Sequence, residues 1–154
     1  MEIIKAATIN DFEQAKKLIR EYHEWLAIDL CFQGFEAELN SLPEMYGHPN
    51  GSMILIKNDI DFIGCVGLRK KDSECCEMKR LYIKPLFHNK GAGRLLLNMF
   101  IDTARELKYK IVRLDTLSRL EAAIHLYVTF GFTEIEPYNF NPVQGVKYFE
   151  LRLE

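Results

Sequence analysis

The chain holds no apolar run near the roughly 20 residues that cross a bilayer. Its first residues, Met1-Glu2-Ile3-Ile4-Lys5, lack the basic and then apolar regions of a secretory signal. Its four cysteines, Cys31, Cys65, Cys75 and Cys76, form no Cys-x-x-Cys spacing, and an adjacent pair does not easily chelate one metal. No metal is expected, and the thiols read as small apolar side chains in a reducing cytoplasm. A surplus of either charge is missing too: 20 Lys and Arg against 22 Asp and Glu give a formal net charge of −2. That balance argues against a nucleic-acid binder. His23, His48 and His125 have no companions at metal-ligand spacing and read as surface or packing residues. Repeats, low-complexity stretches and linkers are also absent, so residues 1–154 read as one domain.

What is present is a mixed pattern of short alternating runs and helical stripes. Glu2 to Ala6 is β-like; Thr8-x-x-Asp11 resembles a helix start, and Phe12, Ala15, Leu18, Ile19, Tyr22 and Leu26 recur at helical spacing. A weaker helix is expected from Phe35 to Leu42, ended by Pro43. Ser52 to Lys57, Asp61 to Arg69 and Ser73 to Ile83 read as an antiparallel meander. Within it the basic run Arg69-Lys70-Lys71, followed by Asp72 and Glu74, reads as a solvated hairpin turn. Gly91 to Leu107 is the next helix and Lys110 to Thr116 the next strand. Leu120, Ala123, Ile124, Tyr127 and Val128 make a further helical stripe that Gly131 stops. Two closing strands, Thr133 to Glu136 and Val146 to Leu153, flank a loop containing Tyr138, Asn139 and Phe140.

The segment from Glu77 to Leu97 carries the chemistry. A strand ends near Pro85, a short basic loop follows, and a helix begins through Gly91-Ala92-Gly93. Such a turn aims unpaired backbone N–H groups and the positive helix end at one point, which suits a diphosphate. Lys90 and Arg94 add charge beside it. A Walker loop would need a hydroxyl where Leu95 stands, and a dinucleotide fingerprint would need a glycine where Leu96 stands.

Two motifs resemble the GNAT superfamily of N-acetyltransferases. Ile83-Lys84-Pro85 followed by His88-x-x-Gly91-x-Gly93 is similar to that family's turn and glycine loop, with His88 where Gln or Arg is usual. Ala123-Ile124-His125-Leu126-Tyr127-Val128-Thr129-Phe130-Gly131-Phe132 is similar to its Ala-x-x-Leu-Tyr-x-x-x-Gly-Phe helix, with Leu120 where Asn is often found. The order of elements agrees along essentially the whole chain.

The resemblance implies an α/β (α+β) fold: a mixed, mostly antiparallel sheet of about seven strands with four or so helices on both faces. It implies acetyl-coenzyme A as cosubstrate, its pyrophosphate on the backbone of His88, Asn89, Lys90, Gly91, Ala92, Gly93 and Arg94. A bulged strand contributes Leu81, Tyr82 and Ile83 to the pantetheine arm, with Ala123 and Tyr127 completing the cofactor site. Tyr127 is expected to face the sulfur. Glu77, four residues before Leu81 and so on the same face of a regular strand, is the candidate base. Tyr22, Trp25 and Tyr138 are candidates for the acceptor side. The acceptor is a small-molecule or peptide amine, the chain a monomer or homodimer in the cytoplasm, with neither nucleic acid nor membrane as partner. A coenzyme A sensor without turnover is the competing reading.

Overall fold

The computed structural model describes residues 1–28 and 34–153; Cys31 lies outside them. Seven strands form one sheet: β1 (Glu2–Lys5), β2 (Ser52–Asn58), β3 (Asp61–Lys70), β4 (Cys75–Ile83), β5 (Ile111–Leu117), β6 (Thr133–Ile135) and β7 (Val146–Arg152). Their order is β1-β2-β3-β4-β5-β7-β6. Every neighbouring pair is antiparallel except β4–β5. The expected meander is therefore β2-β3-β4, with a parallel step after it.

Helix α1 (Ile9–Leu26) starts where Thr8-x-x-Asp11 predicts. The Thr8 hydroxyl accepts from the Asp11 N–H at 3.0 Å, and the Asp11 carboxylate accepts from the Thr8 N–H at 3.1 Å. This reciprocal box satisfies two donors that the first turn would otherwise leave unpaired. Two short helices, α2 (Phe35–Leu39) and α3 (Leu42–Met45), replace the single helix expected over Phe35 to Leu42. Pro43 does not end a helix; it lies in the first turn of α3, where its missing N–H costs nothing. Helix α4 (Ala92–Glu106) and helix α5 (Glu121–Thr129) follow.

The sheet is covered on both faces. Met53 and Leu55 of β2 face Ala15, Leu18 and Ile19 of α1, Leu39 of α2 and Leu42 of α3. Ile54 and Ile56, alternating with them, face Leu96, Leu97 and Phe100 of α4 and Tyr127 of α5. Within the stripe expected for α5, Val128 departs: it is exposed, and Leu126 packs inward instead. Cys65, Cys75 and Cys76 are buried free thiols. Among the described residues, no helix is long and apolar enough to cross a membrane.

Candidate active site

Strands β4 and β5 pair over only three residues, Cys75 with Ile111, Cys76 with Val112 and Glu77 with Arg113. Beyond that point they part. Met78 to Leu81 form one wall of the resulting cleft and Leu114 to Thr116 the other, with Tyr22 and Tyr127 also lining a cavity of about 40 Å³.

The strands part beside a bulge. On its other side β4 pairs with β3 through Gly67 with Lys79 and Cys65 with Tyr82, so Arg80 and Leu81 together oppose Val66. Arg80 takes φ 59°, the left-handed conformation that glycine usually supplies in such a bulge. Hydrogen bonds at its side chain and at its carbonyl hold it there. Its guanidinium makes two hydrogen bonds, both 2.9 Å, to the Glu38 carboxylate of α2. The Cys65 thiol donates to its carbonyl at 3.3 Å. Tyr46 donates at 3.1 Å to the same Glu38 oxygen, Oε2, that accepts from the Arg80 Nε. Burial works to raise the Glu38 carboxyl, but Arg80 outweighs it and holds the group below the usual carboxylate range.

The bulge also reverses the side-chain phase of β4. Cys76 and Met78 pack on the α4–α5 side; after the bulge Leu81 and Ile83 do so, while Tyr82 turns to the α1 side. Glu77 and Leu81 therefore lie on opposite faces, contrary to the regular-strand expectation. The extra residue is the reason.

The loop after β4 opens with a 3-10 turn (Pro85–Phe87). Asn89 takes φ 62° and Gly91 φ 85° as α4 begins, and no side chain caps that helix. Among the described residues, the amides of Asn89 through Arg94 donate to no backbone or side-chain acceptor, while Leu95 is the first to donate back, to Gly91. The two glycines serve different ends. Gly91 supplies the left-handed turn, whereas a Cβ on Gly93 would come within 3.3 Å of Leu126 on α5. His88 is exposed, but its ring folds back on the loop: a ring nitrogen bonds the Ile83 carbonyl at 2.7 Å, and the ring makes a T-shaped contact with Trp25. Lys90 and Arg94 are exposed beside the loop.

Tyr127 is buried against Phe132 and Phe149. Its hydroxyl has no hydrogen-bond partner among the described residues, and burial pushes its ionisation above the ordinary phenol range. Burial likewise pushes Tyr22 up to about 12. Ala123, also on α5, packs partly buried against the same core. Trp25 stacks on Tyr22, meets Tyr82 at a tilt near the loop, and does not line the charged pocket described next.

A second cavity, of about 230 Å³, adjoins the first. Lys79 and Asp115 line both. Glu77, 4% exposed, lines the larger one. Arg69 donates to one Glu77 oxygen at 3.2 Å and Tyr138 to the other at 2.9 Å. Tyr148 anchors this loop by donating to the Asn139 side chain at 2.9 Å. Lys79 sits 3.9 Å from Asp115, and burial pulls its ammonium below the ordinary lysine range. Arg69 and Lys71 line the cavity too, so the basic run is not merely a solvated turn. The signal available in the sequence was strand register: Arg69 stands opposite Glu77. Asp115, Lys79, Glu38 and Arg80 carried no motif and only the fold brings them here.

These features define an enzyme-like cleft: a splayed strand pair, a glycine-entered helix with free amides, and a charged pocket joined to both. A profile of the Acetyltransferase (GNAT) family matches residues 13–132. An uncharacterised N-acetyltransferase of Schizosaccharomyces pombe is 37% identical over 145 residues, covering 93% of this chain and 89% of that one. A GNAT-family acetyltransferase structure from Staphylococcus aureus superposes with a TM-score of 0.81 at 22% identity, covering 99% of both chains. The yncA structure from Salmonella typhimurium, solved with its cofactor acetyl-CoA, superposes with a TM-score of 0.69 at 18% identity, over 100% of this chain and 95% of that one. The chain belongs to the GNAT family of acetyltransferases.

Proposed function

We propose that the protein transfers an acetyl group from acetyl-coenzyme A directly to a primary amine, with both bound at once. The observation behind this reading is the junction of the two cavities. Lys79 and Asp115 belong to the walls of both, so a thioester in the β4–β5 cleft would meet an amine in the charged pocket.

Bound acetyl-coenzyme A supplies an activated acyl group; this chain's residues do the rest. The amides of Asn89, Lys90, Gly91, Ala92, Gly93 and Arg94 receive the diphosphate, with the positive end of α4 adding to the field. His88 shapes that loop through Ile83 instead of touching phosphate. Leu81, Tyr82 and Ile83 form the strand along which the pantetheine arm lies, and Ala123 packs beneath Tyr127 on α5. The Leu81 N–H, in the bulge without a register partner, serves the carbonyl oxygen that gains charge during attack.

A lysine-like amine has a reference pKa of about 10.4, so only about one molecule in 10³ is neutral near pH 7. A positioned carboxylate relieves that limit. Asp115 borders both cavities and takes the proton; Glu77, with both oxygens engaged, holds Arg69 and the Tyr138 loop in place behind it. As the C–S bond breaks, Tyr127 donates a hydrogen bond to the departing sulfur. Its suppressed ionisation keeps it protonated and makes complete proton transfer to the thiolate costly. Tyr22 lines the floor of the same cleft, Trp25 packs on it, and Tyr138 closes the acceptor side.

The test is release of free thiol from acetyl-coenzyme A across a panel of amines, with coenzyme binding measured in parallel. Acceptor-dependent thiol release is expected. Binding of acetyl-coenzyme A with no release on any amine would leave a sensor, and absence of binding would remove the reading.

A further inference from the structure

Resting on the acetyl-transfer reading, we infer that the acceptor is a small amine that also carries a carboxylate, with Lys71 and Arg69 as its anion-binding residues. The larger cavity is lined by three carboxylates, Glu38, Glu77 and Asp115. Each already faces a cation: Glu38 has Arg80, Glu77 has Arg69, and Asp115 has Lys79. A fourth cation, Lys71, has no carboxylate partner among the described residues. It lies over the Tyr138 ring instead, 4.9 Å from the centroid. Arg69 binds Glu77 through Nε alone, which leaves its terminal N–H groups for another acceptor.

The lining itself balances, three carboxylates against Arg69, Lys71 and Lys79; because Arg80 answers Glu38 from outside that lining, the cation left over is Lys71, at the β3–β4 hairpin end of the cavity. The carboxylate shared with the acetyl cleft, Asp115, sits at the other end. An acceptor matching this arrangement presents its amine to Asp115 and an anion to Lys71 and Arg69. A diamine or polyamine would set its second ammonium against those two cations, a like-charge contact that selects against it. A neutral alkylamine would leave Lys71 unanswered. The size agrees with a small molecule: about 230 Å³ is below the roughly 300–1,000 Å³ of pockets for drug-sized ligands.

The discriminating experiment uses matched amines: 4-aminobutyrate, 4-aminobutanamide, butylamine and 1,4-diaminobutane, with leucine, leucinamide and isoamylamine as an α-amino series. Binding to the coenzyme A-loaded and the free protein is read by calorimetry, and kcat/KM by thiol release, corrected for each amine's own ionisation. In at least one series the carboxylate member should bind about tenfold or more tightly than its carboxamide, corresponding to about 1.4 kcal/mol. Lys71→Ala should erase that gap, and Lys71→Arg should keep it. Equal binding within both series, preference for the diamine, or a gap that survives Lys71→Ala would overturn this inference. Turnover of neutral amines alone would overturn it and leave acetyl transfer standing, because the calorimetry does not depend on turnover.

Discussion

At the scale of single residues, two side chains carry separable parts of the chemistry. Tyr127 is buried, lines the β4–β5 cleft and has a hydroxyl without a protein partner among the described residues. Removing only that oxygen, as in Tyr127→Phe, should lower kcat by about 10- to 100-fold. That range corresponds to the roughly 1.5–3 kcal/mol of a hydrogen bond to a charged group. The dissociation constant for coenzyme A should stay nearly fixed, and equal loss of both would reduce Tyr127 to a packing role. Asp115 and Glu77 should also separate. Asp115→Asn should depress kcat/KM most at neutral pH and recover as rising pH deprotonates the free amine. Glu77→Gln should loosen the Tyr138 loop and raise KM for the amine with a flatter pH response. The opposite pattern in the two pH profiles would return the base to Glu77.

At the scale of elements, the bulge in β4 and the start of α4 build the site. Arg80 is held at φ 59° by a buried pair with Glu38, and breaking such a pair from one side costs about 3–5 kcal/mol. Arg80→Leu should therefore destabilise the fold markedly in urea titrations. Arg80→Leu with Glu38→Leu should regain part of that loss while acetyl-coenzyme A affinity stays low, since the backbone would still relax from the left-handed conformation. Recovery of affinity along with stability would show that the pair does not position the cleft. Gly91→Asp should abolish coenzyme binding, because it places a carboxylate among the amides of Asn89 to Arg94 and strains a φ of 85°.

Helical stripes and strand alternation were legible in the sequence because they are local and periodic. So were the capping box at Thr8 and the glycine entry to α4. A bulge in this strand was implied by the family resemblance, but its place was not legible, because an arginine occupies a conformation for which only glycine would have been a signal. Its partner Glu38 is 42 residues away in the chain. Arg69 and Lys71 read only as part of a solvated turn, and Lys79 and Asp115 carried no signal, for a related reason: the four converge through register and through the parting of β4 from β5, not through spacing. Pro43 misled because the same residue ends one helix or begins the next.

At the scale of the whole molecule, stability should follow the buried ionisable groups. The Glu38 carboxyl is held below its ordinary value of 4.5, so an unfolded chain takes up that proton first as pH falls. Its contribution is complete above that value and erodes as acid is added. Burial pushes Tyr22 from 10.0 to about 12, so the unfolded chain loses that proton first as pH rises. That contribution is complete below about 10 and is lost as pH climbs toward 12. Urea unfolding at pH 4, 7 and 11 should give the highest midpoint at pH 7. Tyr22→Phe should lose less between pH 7 and 11 than the parent chain, and an identical loss would assign the alkaline slope to other groups.

The most direct measurement is a crystal structure of the protein soaked or grown with coenzyme A. The diphosphate should lie within hydrogen-bonding distance of successive N–H groups from Asn89 to Arg94, with the arm alongside Leu81 to Ile83 and the sulfur beside the Tyr127 hydroxyl. A coenzyme bound elsewhere, or a protein that takes up none at millimolar concentration, would contradict the account.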